Sequence, residues 1–197
     1  MRKQTKLVAV LSTAALLAIG ASMTSFAAQG WAEEDGTWVY YNRDGEKATE
    51  SWKKSGDNWF WLDDNGEMAT DMLIEDDDDY YYVDANGAMV RNQWVAIDNE
   101  DAGEEDEPEH YWYYFQSNGK AYKRSDSAST ISAKTINGKK YAFDTEGKML
   151  YGWVDATSLD RVSDDDAWKT CDYYFGGEDD GAMVVNDWAL ISIIGDE

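Results

Sequence analysis

Residues 59–62 (WFWL) alternate two kinds of large side chain, and the same alternation recurs along the chain at WVYY (38–41), YYYV (80–83) and WYYF (112–115). Successive strand residues point to opposite faces. Trp59 and Trp61 therefore share one face, and Phe60 and Leu62 share the other. In 112–115, Trp112 and Tyr114 oppose Tyr113 and Phe115. The apolar set (Phe60, Leu62, Val83, Phe115) suits a dry interior. The Trp/Tyr set, each with one polar handle, suits a wet groove. These residues are β-favouring. Asp64-Asn65-Gly66, Asn86-Gly87 and Asn118-Gly119 follow as turn signals, since Asn and Gly accept positive φ. The pattern predicts a hairpin around each such turn, with a short second strand at 67–70 in the second copy.

The pattern is periodic. The bursts precede Gly45, Gly66, Gly87, Gly119, Gly147 and Gly181, the last two bursts being KYAF (140–143) and DYYF (172–175). Five bursts lie at one offset from their glycine, and GGEDDG (176–181) lengthens the sixth turn by two residues. A Met or small residue follows two positions after most glycines: Met68, Met89, Ala121, Met149 and Met183. A further large residue opens most copies: Trp31, Trp52, Leu73 and Trp94 at steps of 21, then Trp153 and Trp188. Self-similarity at this period predicts an all-β solenoid of stacked β-hairpins, about six repeats long. An isolated two-stranded hairpin is marginal in water, so each must stack on its neighbours. About half of the rings are thereby core.

Composition narrows the function. Residues 1–27 read as a secretory signal peptide. Arg2, Lys3 and Lys6 precede an apolar run at 7–19, and Ser25-Phe26-Ala27 offers small residues at a cleavage site. The alternative is an uncleaved N-terminal anchor. Residues 28–197 then form the repeat domain. That domain keeps 14 basic residues against 40 acidic ones, a formal charge of −26. So acidic a chain is no partner for nucleic acid, whose binding rests on neutralised phosphates. It is equally unsuited to an anionic lipid surface, and no membrane insertion is expected. One cysteine, Cys171, excludes an intramolecular disulfide framework.

The acidic stretches 76–79, 98–110 and 155–172 lack the spacing of a calcium loop and read as solvated, partly mobile loops. No metal and no cofactor is expected. His110 sits in an acidic loop with no serine or cysteine motif beside it, and Cys171 has no C-x-x-C partner. A hairpin array offers no deep cleft to hold two carboxylates at a fixed separation. A non-catalytic protein is expected.

Gly30-Trp31…Trp38-Val39-Tyr40-Tyr41…Gly45, Trp52…Trp59-Phe60-Trp61…Gly66-Glu67-Met68, the segment 137–153 and Gly152-Trp153 resemble the cell-wall-binding repeats of Gram-positive bacteria. These include the choline-binding repeats and the related glucan-binding and clostridial-toxin repeats. The resemblance spans residues 30–188. It implies a left-handed superhelix of hairpins with ligand pockets between successive hairpins. In choline binders each pocket is an aromatic cage, two rings from one hairpin and one from the next, often with a Met. Carried over by position, the candidates are Trp31, Trp38, Tyr40, Trp52, Trp59, Trp61, Met68, Tyr80, Tyr82, Met89, Trp94, Trp112 and Tyr114. The fullest pocket uses Trp38, Tyr40, Trp52, Trp59 and Trp61. Leu73, Lys140, Ala142 and Asp172 depart from the pattern and remove rings.

The resemblance implies a secreted protein of the cell surface that attaches to a repeated wall polymer, with choline-substituted teichoic acid first. The alternative is an adhesin that stacks the same aromatics on glucan or host glycan. The apolar stretch 188–194 (WALISII) reads as a closing strand or as a homodimer contact through the C-terminal repeat.

Overall fold

A computed structural model describes residues 29–185 except Glu105. The leader at 1–27 and the stretch 188–194 lie outside the described residues. Those described are all-β apart from one 3-10 turn, and none forms a helix long and apolar enough to cross a membrane. Among the described residues thirteen strands make six small antiparallel sheets, five two-stranded and one three-stranded. In order these are β1 (Gly30–Glu34) with β2 (Thr37–Tyr41), β3 (Ser51–Ser55) with β4 (Asn58–Leu62), and β5 (Met72–Asp76) with β6 (Asp79–Val83). Next come β7 (Gln93–Asp98) with β8 (His110–Phe115), and β9 (Lys134–Ile136) with β10 (Lys139–Tyr141). Finally β11 (Gly152–Val154) lies between β12 (Arg161–Val162) and β13 (Tyr173–Phe175).

The turns that the sequence pattern marked are each closed by a single antiparallel bridge, as between Leu62 and Met68, and the longer hairpin ladders lie upstream of them. Each burst pairs with the strand before it: Trp52 faces Trp61 and Ser55 faces Asn58, across a turn at Gly56-Asp57. Asp35-Gly36, Asp77-Asp78 and Asn137-Gly138 carry φ of +51/+88°, +50/+61° and +49/+82°. Two successive positive φ values make the turn whose twist matches a hairpin. The acidic run 76–79 is therefore a tight turn and not a loop.

The turns that end at Gly66, Gly87 and Gly147 do something else. Asp63, Asp84 and Asp144 each begin such a turn, and their carboxylates accept backbone N–H groups two and four residues on. The chain then runs into a segment shared between two repeats. Among the 29–72 and 83–89 residues that form one compact unit, Ala69 N–H donates to Trp61 of its own repeat at 2.9 Å. One residue earlier, Met68 N–H donates to the Trp38 carbonyl of the preceding repeat at 2.8 Å, and Met89 does the same to Trp59 at 2.8 Å. The second unit, residues 73–82 and 90–185, repeats the arrangement. There Ala121 donates to Tyr80, Met149 to Trp112 and Met183 to Lys140, at 2.7–2.8 Å. These main-chain bonds stack the repeats, and they satisfy backbone groups that a lone hairpin would leave to water.

The same junction explains the recurrent Met. A Cβ placed on Gly87 (φ +78°) would lie 2.9 Å from Met68 Cε, and one on Gly181 would lie 2.3 Å from Met149 Cε. Met68 and Met149 each cover the turn glycine of the next repeat.

Burial follows the alternation. Phe60 is 2% exposed, and Leu62, Val83 and Phe115 are fully buried. The two insertions are more ordered than the solvated loops expected of them. In 98–110, the buried Asn99 donates through Nδ2 to the Pro108 carbonyl at 2.9 Å and to Glu107 at 3.1 Å, closing the loop on itself. In 155–172, Leu159 and Ala167 are buried and Arg161–Val162 adds the third strand to its sheet. A buried amide holds the first of these acidic stretches and apolar anchors hold the second.

Candidate functional site

Cross-strand register sets the ring geometry. The opening aromatic of a repeat faces the third residue of its burst: Trp31 faces Tyr40, Trp52 faces Trp61, Trp94 faces Tyr114 and Trp153 faces Tyr174. The first three pairs meet edge to face at 5.4, 5.2 and 5.1 Å between centroids, and the last is tilted at 4.9 Å. Edge-to-face packing sets the positive ring edge on the negative face. It fixes one ring by the other, and these half-buried pairs keep part of their surface toward solvent.

In the first unit Trp31 also meets Phe60 of the following repeat at 5.4 Å. Two rings of one hairpin and one of the next thus come together, though Phe60 is a core residue. Trp38 is half-buried and Trp59 is 37% exposed. What stands opposite them differs: Glu33 faces Trp38, whereas Lys54 faces Trp59. A carboxylate favours a cation beside Trp38, and an ammonium group disfavours one beside Trp59. Lys53 further lies 5.2 Å from the Tyr40 ring centroid and donates to Asn42 at 3.2 Å, so a cation of the chain itself already uses that ring. Met68 and Met89 are half-buried at the stacking junctions.

The second unit gathers more rings. Trp94 packs on Tyr114, on Tyr141 at 4.8 Å and on Phe143 at 5.8 Å. Tyr122 stacks on Tyr114 at 5.8 Å and 14° and touches Phe143 at 5.6 Å. Tyr122 was missed in the sequence because its position holds Ala48, Ala69, Val90, Leu150 and Val184 in the other repeats. Tyr80 and Tyr82 instead pack on the core of Val90, Tyr113, Phe115 and Ala121. Burial holds the Tyr80 and Tyr141 hydroxyls above the usual phenol range, so both stay neutral at physiological pH. Trp112 donates through Nε1 to Asp179 at 3.2 Å, and His110 contacts the same carboxylate oxygen at 3.0 Å. The lengthened sixth turn thus reaches back over the fourth repeat. Among the described residues no cluster of three or more His, Cys, Asp or Glu side chains could hold a metal.

Residues 49–94 match the family model described as a choline-binding repeat, and residues 111–121 match that of a putative cell wall binding repeat. No curated protein sequence matches the chain. Among solved structures, CbpJ from Streptococcus pneumoniae TIGR4 is similar at 25% identity and a TM-score of 0.51, over 82% of this chain and 44% of that one. Choline binding protein F of Streptococcus pneumoniae is similar at 23% identity and a TM-score of 0.52, over 82% and 44%. Its structure in the presence of a peptidoglycan analogue, a tetrasaccharide-pentapeptide, gives 24% and 0.50, over 82% and 43%. The chain spans less than half the length of these structures.

Proposed function

Taking as premise that the repeats of this chain are of the choline-binding, cell-wall-binding type, we propose that the protein is a non-catalytic attachment protein of the bacterial cell envelope. It is secreted, with residues 1–27 as leader, and it holds the quaternary ammonium groups of a wall polymer on its aromatic faces. The observation that carries this reading is the repeated edge-to-face pair, Trp31–Tyr40, Trp52–Trp61 and Trp94–Tyr114, half-exposed in a strongly acidic chain. A quaternary ammonium has no N–H to donate. It makes no hydrogen bond to a carboxylate, which acts on it only as a nearby charge, and it gains most from a ring face.

Each half-exposed ring contributes about 1 kcal/mol, so three give about 3 kcal/mol and single-site binding near the millimolar range or weaker. Repetition compensates. A polymer with many ammonium groups converts the second encounter into an intramolecular one. The candidate contacts are Trp31, Trp38, Tyr40, Trp52 and Trp61 in the first unit, and Trp94, Trp112 and Tyr114 in the second.

The test is retention on a tertiary-amine resin with elution by choline at constant ionic strength. Elution by choline and not by equal NaCl, weakened in Trp31→Ala and Trp94→Ala, is the expected result. Equal elution by both salts overturns the reading, and retention on neutral glucan would then point to stacking on sugar rings.

A further inference from the structure

The acidic composition hides one basic stretch. Residues 120–140 hold six basic side chains (Lys120, Lys123, Arg124, Lys134, Lys139, Lys140) and one acidic one, Asp126, in a chain with 40 acidic and 17 basic residues. Three of the six line a cavity of about 280 Å³, together with Ser125, Ser132 and an apolar wall that includes Phe143.

The charges of this stretch are only partly paired. Lys120 pairs with Asp79, Lys139 with Asp180 at 3.1 Å and Arg124 with Asp160 at 2.8 Å. Among the described residues Lys123, Lys134 and Lys140 make no ion pair, and the first two line the cavity. Lys123 donates to the Asp78 carbonyl and lies 5.5 Å from the Tyr80 ring centroid. Lys134 donates to Ser132 Oγ at 3.2 Å and lies 5.9 Å from the Tyr122 ring centroid. Arg124 adds a second anomaly: its Nε is buried with no hydrogen-bond partner, while its other nitrogens reach Asp160 and the Ser158 and Leu159 carbonyls. A buried donor without an acceptor is costly, and it marks a place where an acceptor is missing.

We propose that this cavity is a phosphate site. Two ammonium groups held only by neutral oxygens, an orphaned guanidinium N–H and the Ser125 and Ser132 hydroxyls form a set of donors that one anion accepts from together. A tetrahedral phosphate presents oxygens in several directions at once, and lysine meets it as a point charge. The cavity also adjoins the ring cluster, because Phe143 lines the one and packs in the other, and Lys134 spans both. A ligand with a phosphate next to a quaternary ammonium would exchange partners with the protein. Its ammonium takes the Tyr122 face that Lys134 now uses, and its phosphate takes Lys134. This second half rests on the ring-site reading; the phosphate site does not.

The experiment is calorimetric titration at fixed ionic strength with inorganic phosphate, choline and phosphocholine. It is run on the full chain and on the Lys123→Gln/Lys134→Gln variant, with circular dichroism to confirm that both fold alike. Arg124 is left intact because its backbone contacts hold the loop. The expected result is phosphate binding in the parent and phosphocholine bound about tenfold tighter than choline, as one charge-assisted contact provides. Both the phosphate signal and that advantage vanish in the variant, while choline binding is kept or tightened. Equal affinity for choline and phosphocholine, or phosphate binding that survives in the variant, overturns the cavity and leaves the ring reading standing. Lysine-dependent phosphate binding with no choline binding does the reverse.

Discussion

Substitution of Gly87 by alanine tests the stacking of repeats where it is tightest. Gly87 has φ +78°, and a Cβ there would meet Met68 Cε at 2.9 Å, Met68 Sδ at 3.0 Å and the Ala69 carbonyl oxygen at 3.0 Å. Two costs add. The left-handed conformation costs an L-residue about 1–2 kcal/mol, partly offset by about 0.4–1 kcal/mol from a stiffer unfolded chain. The overlap costs a further 1–3 kcal/mol or so, because the Met68 tip can swing away but the backbone carbonyl cannot. Gly87→Ala is therefore predicted to lose about 2–4 kcal/mol by these estimates. Gly56 is the control: φ is +58° and nothing lies within 4 Å of its Cβ position. Gly56→Ala should lose only about 1 kcal/mol, the conformational cost alone. Urea unfolding followed by tryptophan fluorescence and by circular dichroism measures both, and agreement of the two probes justifies a single free energy. Met68→Ala in the Gly87→Ala background should recover part of the loss, a coupling of about 1 kcal/mol, with the remainder assigned to the carbonyl. Equal losses at the two glycines would refute the claim that Met68 bridges one repeat to the next turn.

Three further predictions address charge and loop order. Lys54→Glu should strengthen choline binding several-fold, and Glu33→Lys should weaken it, since these residues face Trp59 and Trp38; choline titration by fluorescence reads both, and identical affinities in the two variants would remove electrostatics from the site. Burial raises the Asp144 carboxyl above its ordinary value of 3.8. Its contribution to stability is thus present below that value and lost as pH rises through the raised one. Asp144→Asn, which keeps an oxygen for the Glu146 and Lys148 N–H groups, should raise the melting temperature at pH 7 and converge with the parent below pH 4; a lower melting temperature at pH 7 would contradict this. Asn99→Ala should cost about 1–3 kcal/mol, by leaving the Pro108 carbonyl without its donor, and open residues 98–110 to proteolysis; an unchanged cleavage rate would show that the loop needs no such closure.

Strand alternation was legible because it depends on one residue and its immediate neighbours. It separated Phe60, Leu62, Val83 and Phe115 from the half-exposed rings beside them. The turn glycines were legible for the same reason, and their positive φ values agree. The longer hairpin ladders were not, because Asn65-Gly66 and Asn86-Gly87 are the stronger local signals whereas Asp77-Asp78 reads as mere acidity. What distinguishes them is the pairing partner, which lies on the upstream side of each burst. The Met spacing was visible but its role was not, since Gly87 and Met68 belong to different repeats.

The parts of the site that escaped the sequence share a cause. A repeat is read by comparing copies, and this chain places its distinctive chemistry where the copies differ. Tyr122 replaces an aliphatic residue of the other repeats, so alignment by position passed over it, yet it stacks on Tyr114 and contacts Phe143. The basic stretch runs from the end of the fourth repeat into β9 and β10 of the fifth, and a net charge of −23 masks it. The fifth repeat loses its own rings at Lys140 and Ala142. Trp94 fills that place by packing on Tyr141 and Phe143. A copy that appears degenerate by counting rings is thereby the wall against which the fourth repeat assembles its cluster. Repeats that match the pattern hold the array together through their backbones, and the departures from the pattern give neighbouring junctions different surfaces.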